Sequence, residues 1–436
     1  MSQKKSGSVR LWLKNLDNYW FGSNSPTTMG LFRIIMSSLI FVNLCMILTD
    51  FGAWFSEEGF VPEHIGKTYM PNPQLSGNVL GLPFHFTLPI IGDQIPRINL
   101  LSGVTNDNVT LAFYLILMAA TLLCALGLWT RVTSIMMAVG IVTLHHRNGL
   151  ILHGGDSVVR ISSLYIALAP SGAACSLDRV IGIWKGRIKP GPVRLSVWVQ
   201  RVLAYNVALI YFTTFWHKYG FGSHWRDMTA TWYPARLHEF DRFPVPGFVN
   251  QLPFVYVTTF MTLVIELGLG TLVFYRPLRK WFLLGGIGLH AFIEYSMNIP
   301  LFSYLMVTLY LAFYDGTEVD AWAKRVGERL GKRFAKAKAV IYLPNHMRLK
   351  PAHAAAIDAM DPLELVEYEP GDSPSWEAVA GGKSAKPFGI SLARSLGAWP
   401  IAVVPALWKR LLTNSLESVP TTTQTHETSQ RAKIRR

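Results

Sequence analysis

The feature that most constrains this chain is a recurrence of apolar blocks, several of which approach the ~20 residues needed to cross a bilayer. Eight such blocks fall at about 28–49, 109–130, 132–147, 151–170, 196–217, 252–275, 281–297 and 299–315. The fold class they predict is an all-α polytopic membrane protein of about eight transmembrane helices, with a small cytoplasmic α/β appendage at the C-terminus. Composition agrees. Half of the residues are hydrophobic and 16% are charged, where an average soluble domain carries roughly 25% charged residues. Length alone would suggest about three soluble domains, and this composition excludes them, together with a disordered or fibrous chain. The first block follows a basic segment (Lys4, Lys5, Arg10, Lys14) but is too long for a signal-peptide core, so it reads as an anchor.

The 41 basic residues exceed the 27 acidic ones, for a net charge of +14. In a soluble protein such an excess would point to nucleic acid. In a membrane protein it reflects Lys- and Arg-rich cytoplasmic loops, so no nucleic-acid partner is expected and the lipid bilayer is the first one. With the N-terminus inside, the inner segments hold 13 Lys and Arg and the longer outer segments hold 7. The protein is therefore expected to be multi-pass with both termini cytoplasmic. The outward loops 51–108 and 218–251 are rich in aromatics, Pro and Gly, as ordered caps over a membrane cavity would be. Residues 1–27 form a cytoplasmic or interfacial segment, in which VRLWLKNLDNYW (9–20) suits a helix lying in the membrane interface. The three cysteines (Cys45, Cys124, Cys175) form no C-x-x-C pair, which supports neither a disulfide framework nor a zinc site.

Beyond the main transmembrane region (28–316) the composition changes, with 18 basic and 12 acidic residues in 318–436. A basic amphipathic linker helix is expected at 317–337, its pattern clearest over 319–338. AVIYL (339–343) and LELVEYE (363–369) read as strands flanking an Ala-rich helix at about 350–360. Residues 388–412 form an apolar, Pro-interrupted helical stretch. Its core, 388–407, contains Arg394, Pro400 and Pro405 and reads as a cytoplasmic helix pair rather than a ninth span. The basic tail, 416–436, is polar enough to be disordered.

Ionisable groups inside spans are costly and usually face a bundle interior or cavity. His153, Asp156 and Arg160 share one helical face through spacings of three and four. Asp156 and Arg160 read either as a self-neutralising structural pair or as part of a polar cavity wall. His145, His146, Arg147 and Asn148 fall at the outer end of the third block, as a solvated turn or as binding groups. His290 and Glu294, four apart, read as a structural pair, since two ligands do not make a zinc site. Glu266 lies near mid-membrane and needs a partner, for which Arg33 and Arg201 are candidates. The densest stretch is YFTTFWHKYGFGSHW (211–225). There Lys218 sits at the outer boundary between His217 and His224. It reads either as a lysine snorkelling to headgroups or as an amine whose pKa is lowered by desolvation. Trp216, Trp225, Trp232 and Tyr233 supply an apolar wall, a flat-ligand site or an interfacial aromatic belt.

The run HHRNGLILHGGDSVVRISSLYIALAPSGAACSLDR (145–179) together with YFTTFWHKYGFGSHW resembles the HTTM family (horizontally transferred transmembrane domain), over about residues 20–316. The matching features are the R-N-G and G-G-D elements, the S-L-D after the fourth block, and the aromatic-flanked lysine followed by G-x-x-W. The family includes the vitamin K-dependent γ-glutamyl carboxylase. The resemblance implies reduced vitamin K or menaquinol as cofactor and Lys218 as general base. His217, His224 and Asp156 are implied as supporting groups, and Trp216, Trp225, Tyr219, Arg147 and Asn148 as binding residues. A peptide or protein substrate would approach from the outer face. The carboxylase has Asn-His before its S-V-D where this chain has Gly155-Asp156, which bears on the carboxylation step itself. The chain also lacks that enzyme's large C-terminal domain.

Residues 338–415 show a fainter resemblance to DCC-type thiol oxidoreductase domains, which begin with a thioredoxin-like βαβ. That family's D-x-x-C-x-x-C would follow AVIY, and here the residues are LPNHMRLK. Disulfide exchange needs a thiolate, so a domain of this type would be redox-inactive. The runner-up is an unrelated cytoplasmic α/β appendage. Three functional readings follow: a quinol-dependent, carboxylase-like enzyme (a lyase that epoxidises its quinol), a non-catalytic accessory or maturation factor for an exported peptide, and, last, a small-molecule transporter. A transporter should show two matching halves, and no internal repeat is evident.

Overall fold

In a computed structural model, the apolar blocks become helices whose ends are set by local signals. The structure describes residues 2–69, 75–79, 82–86, 99–238, 242–244, 246–334, 337–360, 366–372, 375–380, 383–385 and 415–418. The chain divides into two units: Met1–Ser176 with Val193–Gly316, and Leu177–Pro192 with Thr317–Arg436.

The first unit holds α1 (Ser2–Phe21), α2 (Thr27–Leu48), α3 (Phe51–Phe55), α4 (Glu63–Tyr69), α5 (Asp107–Leu126), α6 (Thr130–Arg147) and α7 (Gly154–Leu168). After the excursion through the second unit come α9 (Trp198–Phe221), α10 (Ser223–Arg226), α11 (Leu252–Gly270), α12 (Arg276–Ser296) and α13 (Phe302–Leu309), the last extended by a 3-10 turn, Tyr310–Phe313. Strand β1 (Ser23–Asn24) pairs with β4 (Leu195–Ser196), and β2 (Leu75–Val79) forms a hairpin with β3 (Leu82–Phe86).

Three of these helices, α2, α5 and α11, are long and apolar enough to cross a membrane. The five other helices on predicted blocks fall short in length or carry polar groups. α7 has 15 residues, and α12 holds Arg276, Arg279, Lys280, His290 and Glu294. α1 extends beyond the expected 9–20 and exposes Leu11, Trp12, Leu13 and Leu16.

Caps explain several boundaries. Asn106 accepts hydrogen bonds from the backbone N–H groups of Asn108 (3.0 Å) and Val109 (3.4 Å), satisfying first-turn donors of α5. Gly127 ends α5 at φ +70°, the left-handed conformation that a residue with a Cβ adopts only under strain. Proline near the start of α11 and α12 replaces a backbone N–H that would have no helical partner.

One buried cluster joins the helices. Phe32, Met36 and Ile40 of α2 pack with Tyr114 of α5, Met137 and Ile141 of α6, Ile166 of α7 and Leu203 and Val207 of α9. Tyr114 donates to the Leu44 carbonyl at 2.6 Å. Arg33, proposed from sequence as a partner for Glu266, is fully buried and instead donates to the carbonyls of Ser171 (2.7 Å) and Cys175. It thereby satisfies the turn that follows α7. Arg201 is directed to Asp315 at 3.5 Å. Neither arginine serves Glu266.

The second unit contains α8 (Leu177–Trp184), α14 (Gly316–Phe334), α15 (Pro351–Met360) and six strands. These are β5 (Ala337–Leu343), β6 (Met347–Leu349), β7 (Val366–Pro370), β8 (Ser375–Ala380), β9 (Lys383–Ala385) and β10 (Leu416–Ser418). Their main sheet has the order β7-β5-β8-β9, with β5 and β7 parallel and joined through α15. Trp184 of α8 stacks on His353 of α15, centroids 4.2 Å apart. Ile341, Leu349 and Ile357 are buried beside this contact.

Two expectations are corrected here. The linker helix does not reach 338, because residues from Ala337 onward pair in the sheet. The start of the tail is ordered, since Leu416–Ser418 pair with β6. The helical stretch expected at 388–412, the suspected ninth span and the tail beyond 418 lie outside the described residues.

Replacing Arg33 by Met keeps the bulk but leaves two carbonyls without a donor. Arg33→Met should destabilise the protein by roughly 2–4 kcal/mol, read as a lowered midpoint of thermal unfolding in detergent. Wild-type stability in this variant would mean that water replaces the guanidinium.

Candidate functional site

The chemistry of the first unit concentrates where α9 crosses α11. Gly270 of α11 lies against the Phe212 backbone, and a Cβ there would come within 2.9 Å of its N and Cα. Further along α9 but earlier along α11, Lys218 Nζ forms an ion pair and hydrogen bond with Glu266 Oε1. The two helices therefore run antiparallel, in a register fixed by the close approach at Gly270. The partner for Glu266 that the sequence left open is Lys218.

Glu266 lies 14 residues past the start of α11, about 21 Å along a helix rising ~1.5 Å per residue. Lys218, in the last turn of α9, thus sits beside the C-terminal third of α11. The segment after α9 folds back along α11. Thr231 Oγ1 lies 2.9 Å from the hydroxyls of both Thr258 and Thr259 and donates to the Val255 carbonyl at 3.2 Å. Trp225 closes over the amine, its ring centroid 4.5 Å from Lys218 Nζ.

Lys218 and Glu266 line a cavity of about 720 Å³. It extends from Gly154, Thr231, Pro234, Ser296 and Met297 at one end to Ile210 and Tyr211 at the other. Its walls are mostly apolar, among them Val158, Ile161, Met261, Ile293, Phe302 and Met306. At the Tyr211 end of the cavity, Tyr211 Oη lies 2.7 Å from His290 Nε2 and 2.8 Å from Tyr310 Oη. Glu266 Oε2 and His290 Nδ1 are buried and have no hydrogen-bond partner among the described residues. Burying a carboxylate oxygen without a donor is costly.

The structure separates the sequence-derived site residues into groups. Lys218, Trp225 and His290 line the cavity. Trp216 and Tyr219 stand on another face of α9, about half exposed, against Phe215. His217 is exposed and packs on Phe221. His224 packs on Tyr233, with a long contact of 3.4 Å to the Thr229 hydroxyl.

Arg147 and Asn148 are not a solvated turn. Arg147 is buried and pairs with Glu57 at 2.9 Å, and Asn148 Nδ2 donates to the Trp54 carbonyl at 2.9 Å. Both tie α6 to the segment after α2. His145 is buried beside Asp156, while His146 is half-buried.

Two expected pairs are replaced by others. Asp156 accepts from the His153 backbone N–H at 2.8 Å, while the His153 imidazole accepts from Gly155 N–H at 3.0 Å. That is a capping box at the start of α7. Asp156 also faces His145 Nε2 at 3.6 Å, and Arg160 turns to the Ser157 hydroxyl at 3.5 Å. His290 bonds Tyr211, and Glu294 pairs with Arg242. The i,i+4 spacings were real, but local partners, His153 and Ser157, took Asp156 and Arg160, and tertiary partners took His290 and Glu294.

Sequence reasoning missed Tyr211 and Tyr310. The signal was present for the first: Tyr211, Thr214 and Lys218 are spaced three and four apart, on one face of α9, and all three line the cavity. Tyr310 carried no such mark within its apolar run.

The pairing yields a double-mutant test. Lys218→Met leaves a buried carboxylate unpaired, and Glu266→Leu leaves a buried ammonium unpaired. Each should cost about 3 kcal/mol, and the double variant should recover most of that loss. Additive losses in thermal unfolding would show that the two groups do not interact.

Comparison with known proteins places the chain. Residues 89–317 match the family model described as the HTTM domain, more than half of the 436 residues. No curated protein and no solved structure matches the chain. The chain thus belongs to the HTTM domain family and is a membrane protein of that family.

Proposed function

We propose that this protein spans the membrane with about eight helices, both termini cytoplasmic, and that its cavity binds a lipid-soluble quinol whose hydroxyl gives up a proton to the Lys218–Glu266 pair. The observation that carries this reading is the pair itself, at the floor of a mostly apolar cavity of about 720 Å³. That volume falls within the ~300–1,000 Å³ typical of small-molecule sites. The residues present suit reduced vitamin K or menaquinol. Val158, Ile161, Met261 and Ile293 offer apolar wall for an isoprenoid tail, Trp225 a flat face for a ring, and Lys218 with Glu266 a polar end for a hydroxyl. A bound quinol would supply an acidic hydroxyl and, with oxygen, the oxidation on which the family's carboxylase chemistry draws.

The part played by the protein is proton handling. The amine and carboxylate together hold one proton in the net-neutral pair. Accepting a second leaves an ammonium beside a carboxylic acid, and the ammonium then faces the oxyanion left on the ligand. Preorganised charge of this kind in a water-poor site is an efficient form of stabilisation. Glu266 Oε2, which lacks a partner among the described residues, is the natural resting place for that proton. Lys218 is thus the charged half of a two-residue base. His217, His224, Trp216 and Tyr219 point to other contacts and do not belong to it. A peptide substrate would reach the cavity from its Pro234 and Met297 end.

A second reading is favoured by one observation: Lys218 is already neutralised by Glu266, and Asp156 serves as a helix cap. On that reading the cavity binds its ligand without chemistry, and the protein is an accessory factor for an exported peptide.

Purified protein in nanodiscs, given reduced vitamin K or menaquinol and oxygen, distinguishes the two. Epoxide should form with wild type, and should fall at least about a hundredfold in Lys218→Ala and Glu266→Gln, the scale of a lost acid–base group. Quinone binding, read by quenching of tryptophan fluorescence, should persist in Glu266→Gln. Wild-type protein that binds quinone yet forms no epoxide, even with Glu-containing peptides, would establish the accessory role. Absence of quinone binding would overturn both.

A further inference from the structure

A second cleft, of about 400 Å³, lies at the opposite end of the same helices. It is formed by the start of α9, the 3-10 turn Leu272–Phe274 after α11, the start of α12 and the turn after α13, with Tyr19 of α1 at its side. Three guanidiniums line it, from Arg201, Arg276 and Arg279, against one carboxylate, Asp315. Asp315 lies 3.5 Å from Arg201 and 3.2 Å from Arg276, so two of the three guanidiniums share one carboxylate. Arg201 Nε is buried without a hydrogen-bond partner among the described residues, and its guanidinium sits 4.2 Å over the Tyr19 ring.

The position of these charges is unfavourable for the helix that carries two of them. α12 begins at Arg276, and its first five residues include Arg276, Arg279 and Lys280, with no acidic residue and no side-chain cap. A helix N-terminus carries a partial positive charge and exposed N–H groups, so cations there are destabilising and anions stabilising. A chain that keeps three cations at such a point, two of them lining a cleft together with Arg201 of α9, is arranged to hold an anion from outside. The surroundings identify its source. Tyr205 lines the cleft and is exposed, as are Tyr275 and Trp281 at the start of α12, like the aromatic belt of a membrane interface. A basic pocket between helix ends, set among such aromatics, suits the phosphate of a lipid headgroup.

We propose that the cleft between α1, α9 and α12 binds the phosphate of an anionic phospholipid through Arg201, Arg276 and Arg279. The bound phosphate offsets the charge concentrated at the start of α12 and fixes α1 against α9. Asp315 opposes it, limiting the net attraction. This site is separate from the Lys218 cavity and does not depend on its chemistry.

The test uses the full chain in nanodiscs of phosphatidylcholine, with or without phosphatidylglycerol, followed by release into detergent and native mass spectrometry of retained lipid. Wild type should retain phosphatidylglycerol over phosphatidylcholine and melt at a higher temperature when it is present. Arg276→Gln/Arg279→Gln should lose about tenfold of that preference, as expected for charge-assisted contacts. Asp315→Asn should move it in the opposite direction. Arg276 is largely exposed, so Arg276→Gln alone keeps the test valid if the double variant does not fold. Equal retention of the two lipids by wild type, or an unchanged preference in the arginine variants, would overturn the proposal. A melting shift reproduced by inorganic phosphate alone would also overturn it, by making the cleft a soluble-anion site.

Discussion

The pair of Lys218 and Glu266 is the constraint from which the rest of this bundle can be understood. A carboxylate placed 14 residues into an apolar helix cannot stay ionised in hydrocarbon without a partner. Its partner lies on a helix that must approach closely, and the approach is set by Gly270 against Phe212. Once that register is fixed, the return segment through Trp225 and Thr231 is drawn along α11, and the cavity lies between them. At its Tyr211 end, Tyr211, His290 and Tyr310 form a hydrogen-bonded chain, and the other walls are mostly apolar.

Much of the architecture was legible because lipid imposes simple rules. Apolar blocks of the right length became helices at every expected place from 28 to 315, and strand patterns at AVIYL and VEYE became neighbouring parallel strands. Pairing was not legible. The sequence placed Asp156 with Arg160 and His290 with Glu294 by helical spacing, a local interaction of a few tenths of a kcal/mol. The fold offered stronger partners: a capping box for Asp156, a tyrosine for His290, and Arg242 for Glu294. The partner of Lys218 was hidden for the same reason. The lysine's position in the chain marks the end of α9, and only the crossing with α11 brings it to Glu266.

The aromatic residues around Lys218 divide along the same line. Trp225 covers the amine, whereas Trp216 and Tyr219 pack on Phe215 at the other side of the helix. Composition marked the stretch as rich in aromatics and could not say which rings face inward. Arg147 and Asn148, which the family resemblance implies as binding residues, hold the loop after α2 by its carbonyls.

The central claim is that the inner face of α9, and not its outer one, meets the ligand. Photoaffinity labelling with an azido-naphthoquinone, followed by peptide mapping, tests it most directly. The account predicts labels on Trp225, Met261 and Met306, with competition by excess menaquinone and loss on replacing Trp225 by Ala. Labels confined to Trp216, Tyr219 and other outward residues, insensitive to competition, would contradict it.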